Sequence, residues 1–156
     1  MFARTLAAGA LAAVTATSAM AVPLTLPTEQ AETSGVVGIS IPFGGDMRPR
    51  FSVGVRRTTV DVNGDLRGTE LRLIFDPANP GNVQVRALGL LGSVDHAGAL
   101  GGGWDFGTGK AFVSGGVVFP YLSGVVDFGL GGFQPQLTIG IDSLGKMDQP
   151  IAAPIF

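Results

Sequence analysis

The sequence predicts an all-β protein, a small antiparallel meander of about eight strands closing into a β-barrel or stacking as a β-sandwich, behind a cleaved signal peptide. Three observations carry this. Apolar residues recur with a period of two along most of the chain after residue 34. Twenty-five Gly and ten Pro are too many for a helical bundle. No stretch beyond the first 21 residues has the amphipathic period of a helix.

The N-terminus reads as an address. Arg4 precedes an apolar Ala/Leu-rich run from Leu6 to Val14, and Ala19-Met20-Ala21 has the small-x-small pattern of a cleavage site, so residues 1–21 are expected to be removed on export. The run is too short and too interrupted by Thr15, Thr17 and Ser18 to cross a bilayer as a helix. Residues 22–33, with Pro23 and Pro27, read as an extended lead-in, residues 34–142 as the barrel domain, and residues 143–156 as a Pro-containing tail.

Within 34–142 the strand signals follow in order. Val37, Ile39, Ile41 and Phe43 alternate with small residues, and Phe51, Val53 and Val55 repeat the pattern. Asn63-Gly64 is expected to turn the chain as a type I′ hairpin, with both residues at positive φ. Leu71, Leu73 and Phe75 resume the alternation, and the run from Asp76 to Asn82 breaks it with Pro77 and Pro80, which have no N–H for a ladder. Val83, Val85 and Ala87 come next, then Trp104 and Phe106, a break at Thr108-Gly109, and Val113, Val117 and Phe119. Val126, Phe128 and Leu130 lead to a break at Gly131-Gly132, and Leu137, Ile139 and Ile141 close the series.

Function classes narrow on composition. Charged residues are 14% of the chain and the formal charge is −2, which excludes a nucleic-acid binder that works by charge. With no cysteine and one histidine, a thiolate or imidazole metal site is not expected, and no cofactor motif is present. An exported domain without disulfides must be held by its core or by a membrane.

Alternation does not say which stripe faces in, because soluble and lipid-embedded barrels share the period. The stripe opposite the apolar one is small and polar and carries Arg56, Glu70, Arg72, Arg86, Asp105 and Asp127. In a narrow membrane barrel these six would form a charge-balanced lumen network; in a soluble barrel they would be the wetted outside. Mean hydropathy of +0.40 favours lipid. A single Trp and a single Tyr, and strands that read a residue or two short of a bilayer span, argue the other way.

Two runs resemble reactive sites. Asp61-Val62-Asn63-Gly64-Asp65 places oxygens at alternate positions as a calcium loop does, but Leu66 and Arg72 stand where that loop needs Gly and a carboxylate, so a hairpin turn is expected. Ser93, Asp95 and His96 could serve nucleophilic catalysis only if a turn brought them together. No catalytic residue is assigned. Arg48, Arg50, Arg57 and Arg67 fall near strand ends, where they would meet lipid phosphates or solubilise the fold.

The expectation is therefore an exported, non-enzymatic envelope protein, a membrane-associated barrel with a structural or protective role, outer membrane favoured, with membrane lipid as its surroundings. The alternatives are a soluble periplasmic or secreted barrel or sandwich that binds a small apolar ligand or a protein partner, and an envelope enzyme using His96.

Overall fold

The computed structural model describes residues 29–44, 47–132 and 135–145. The expected signal peptide and most of the expected tail lie outside the described residues. Eight strands follow one another: β1 (Glu29–Phe43), β2 (Arg50–Asp61), β3 (Asp65–Asp76), β4 (Asn79–Ser93), β5 (Ala97–Asp105), β6 (Lys110–Phe119), β7 (Leu122–Gly129) and β8 (Pro135–Asp142). Each pairs antiparallel with the next, and β8 pairs with β1, so the sheet closes as a barrel and not as a sandwich. No helix occurs among the described residues.

The closure is staggered. From Ile41 the pairing runs through Ile139, Gly124, Val117, Gly98, Leu91, Arg67 and Thr59 and returns to β1 at Ala31, ten residues before its start. Such a stagger obliges the strands to tilt, typically by about 35–45° to the barrel axis. It also leaves Glu29–Val36 paired with β2 alone, because β8 meets β1 only from Gly38 to Phe43 and Ser143 beyond it takes Val37.

Three local features depart from the sequence reading. β1 begins at Glu29, inside the expected lead-in. The break at Asp76–Asn82 contracts to a turn at Pro77-Ala78, and β4 already starts at Asn79, with a bulge that absorbs Pro80 where no ladder N–H is needed. Asn63 does not take positive φ: Gly64 alone does, at 86°, and Gly64 N donates to Asp61 O at 3.1 Å. The connection is thus a three-residue loop, a type I turn followed by a left-handed glycine. β1 to β4 are also longer than expected, at 12 to 15 residues, whereas β7 and β8 have only eight.

The two barrel ends differ. At the end holding Glu29 the connections are 62–64, 94–96 and 120–121. At the other they are 44–49, 77–78, 106–109 and 130–134. Beside the short turns, Val60, Leu66, Leu88, Leu90, Val94, Ala97, Ala99 and Val118 fill the interior as an apolar plug. Val94 N donates to Gly64 O at 3.2 Å, which fastens the two turns across that end.

Candidate functional site in the lumen

The two faces of the barrel carry opposite chemistry. Outward positions are apolar on every strand: Ile39, Val53, Leu73, Leu91, Leu100, Val117, Leu122 and Ile139 are all exposed. Inward positions hold the ions. Leu100 is 75% exposed and Arg56 is 2% exposed, an inversion of the usual order. Phe43, Phe51, Phe75, Trp104, Phe106 and Phe128 gather toward the end with the longer connections, where the Phe51 and Phe75 rings stack with centroids 6.0 Å apart. Near the other end the outer face of β1–β3 turns polar, with Thr33, Arg57, Thr59, Arg67 and Thr69.

Cross-strand register builds the main charge cluster. Arg56 and Glu70 stand opposite each other on β2 and β3, and Arg72 lies two residues beyond Glu70 on the same face. Arg56 Nε donates to Glu70 Oε2 at 2.6 Å. Arg72 donates through Nε to Glu70 Oε1 and through Nη2 to Glu70 Oε2 at 3.1 Å. The fourth member is Asp142 at the end of β8: its Oδ2 accepts from Arg72 Nη2 at 2.6 Å and faces Arg56 Nη2 at 3.5 Å, and its Oδ1 accepts Leu144 N at 3.0 Å. Two guanidinium groups thus balance two carboxylates, as burial of charge requires. Gly54 makes room for this, since a Cβ there would lie 3.0 Å from Arg72 Cγ.

A second cluster crosses the lumen from β4 to β7. Arg86 pairs with Asp127, whose Oδ1 accepts Ser114 Oγ at 2.6 Å, and the guanidinium lies over the Phe112 ring at 5.7 Å. Arg72 and Arg86 are register partners on β3 and β4, a like-charge juxtaposition that is tolerated because each turns to its own acid.

All six sequence-predicted residues therefore face inward, but not as one network. Asp105 is in neither cluster: its Oδ2 accepts Gln84 Nε2 at 3.0 Å, and its Oδ1 accepts Gly107 N at 2.8 Å and Thr108 N at 3.1 Å, so it holds the β5–β6 turn. Asp142 escaped the sequence reading. Its signal was its parity with Thr138 and Gly140, which continues the inward stripe by one more step.

The other sequence candidates resolve as follows. The 94–96 turn brings Ser93 Oγ to 3.3 Å from His96 Nδ1, and Ser93 N donates to His96 O at 2.7 Å. The adjoining cavity is only about 10 Å³, no room for a substrate. Asp61 Oδ1 accepts Asn63 N at 2.8 Å and Asp65 N at 2.9 Å, and its Oδ2 accepts Asn63 Nδ2 at 3.2 Å, so its oxygens organise the hairpin. No three His, Asp or Glu side chains among the described residues are grouped to hold a metal ion. Arg67 pairs with Glu29 at 2.7 Å on the surface, whereas Arg50 lines the mouth of the lumen. Compared with protein-family models, with curated proteins and with solved structures, the chain matches none.

Proposed function

We propose that this chain is an exported, non-enzymatic envelope protein, a small β-barrel set in a bacterial outer membrane, where it has a structural or protective role. The observation that carries the reading is the inversion of the two faces, with ion pairs inside and an apolar band outside. In water, exposing that band while burying five arginine–carboxylate pairs would reverse the main driving force of folding. In a bilayer both faces are in suitable surroundings.

The backbone fits the same reading. A lipid-facing strand must have its polar groups paired, which closure achieves. The stretch of β1 that lacks a second partner, Glu29–Val36, carries Thr33 and runs mostly alongside the polar outer residues Arg57 and Thr59, where water can satisfy it. A tilted strand needs about 9–11 residues to cross. Six of the eight strands have nine or more. Short connections at one end and longer ones at the other are also the habit of outer-membrane barrels.

A structural role is favoured over conduction because paired side chains and the apolar plug occupy the lumen. A carrier for an apolar ligand would need an apolar interior cavity; the interior cavity at the mouth is lined by Arg50, Gln84, Asp105, Lys110 and Asp127. The reading is tested by envelope fractionation followed by SDS gel mobility with and without boiling. Sedimentation with outer membranes and a heat-dependent shift are expected. Recovery as a soluble protein without detergent overturns it.

A further inference from the structure

The mouth of the lumen, at the end with the longer connections, holds an open cavity of about 310 Å³. Among the described residues its charged lining is Arg50, Lys110, Asp105 and Asp127. Both acids are committed to internal donors. Asp127 takes Ser114 on one oxygen and Arg86 on the other, and Asp105 takes Gln84 and two backbone N–H groups. The two cationic side chains are not so engaged: among the described residues neither the Arg50 guanidinium nor the Lys110 ammonium has an ion pair or a side-chain hydrogen bond, although Lys110 stands opposite Asp105 in the β5–β6 register. Arg86 cancels Asp127, so among the described residues that line the cavity Arg50 and Lys110 together exceed Asp105 by one positive charge.

Their placement adds geometry. β2 and β6 are four strands apart in a closed ring of eight, so Arg50 and Lys110 extend from opposite walls. Arg50 is inward because it shares parity with Ser52 and Arg56, and Lys110 because it shares parity with Phe112 and Ser114. A planar guanidinium fork and an ammonium point charge lining one cavity are a pair of donors suited to a tetrahedral oxyanion.

We propose that the lumen mouth is a binding site for phosphate or a phosphomonoester, bridged between Arg50 and Lys110. The site lies inside the barrel, so it stands whether the outer face meets lipid or water. Fractionation and gel mobility report on that separate question.

The test is calorimetric titration of the full, detergent-folded chain at low salt with inorganic phosphate, glycerol phosphate and dioctanoyl phosphatidic acid. Saturable binding is expected, weakened about tenfold by Arg50→Gln and by Lys110→Gln. Arg57→Gln, which changes an outward arginine, should leave it unaltered, and Asp105→Asn should tighten it. Saturation by the free phosphates assigns a solute. Saturation by the lipid alone, with the same dependence on the two variants, assigns a membrane headgroup phosphate. Failure of all three probes to saturate, or equal binding by the Arg50→Gln/Lys110→Gln double variant with its heat-dependent mobility intact, overturns the proposal.

Discussion

Arg72 on β3 donates to Asp142 on β8 at 2.6 Å, although the two residues are 70 positions apart and their strands are not neighbours in the sheet. This bond spans the lumen. It ties the last strand to the β2–β3 hairpin from the inside, independently of the β1–β8 ladder that closes the wall.

Removing Asp142 should therefore destabilise the barrel more than its terminal position suggests. Asp142→Ala leaves Arg56 and Arg72 sharing one carboxylate, Glu70, in a buried setting. The expected loss is about 3–5 kcal/mol in urea unfolding from micelles. A loss near zero would mean that Asp142 is solvated.

Val53 is exposed in the middle of the apolar band. Val53→Arg is expected to cost about 2–4 kcal/mol when the barrel is folded into vesicles. On a water-facing surface the same change would stay within about 0.5 kcal/mol. Parallel unfolding in vesicles and in micelles measures the difference.

The β2–β3 loop distinguishes two turn types by mutation. Gly64 sits at φ 86°, and Asn63 is not at positive φ. Gly64→Ala should cost about 1–2 kcal/mol, whereas Asn63→Gly should bring no gain. A type I′ turn would instead be relieved by glycine at position 63.

At the same turn, the Asp61 carboxyl is held below the ordinary aspartate value, first by the Asp65 N–H, against a smaller opposing desolvation, and then by the Asn63 N–H. A lowered folded-state value means that the contribution is complete above the ordinary aspartate range and fades as the pH falls through the lowered one. Amide chemical shifts of Asn63 and Asp65 should move together in that acid window. In Asp61→Asn the step should vanish.

Much of the barrel was legible because inward and outward stripes impose a strict alternation, and the breaks at Thr108-Gly109 and Gly131-Gly132 fall between observed strands. What the alternation did not show was extent. Glu29–Thr33 belong to β1, yet both faces there are polar or small, so no period marks them. Pro80 reads as a terminator, but a bulge accommodates it. The lumen residues were legible by parity; their partners were not. Arg86 finds Asp127 across the barrel while Asp105, equally acidic and equally inward, is taken by a turn, and only the closed register decides between them. Asp142 was hidden by lying at a strand end, where one more inward step looks like the start of a tail.

Trp104, the sole tryptophan, points outward and is 45% exposed near the aromatic end of the band. Its fluorescence in vesicles whose acyl chains carry bromine tests the lipid-facing surface most directly. The account predicts blue-shifted emission, quenched by the brominated chains and insensitive to aqueous iodide. Water-like emission, quenched by iodide and untouched by the bromines, would contradict it.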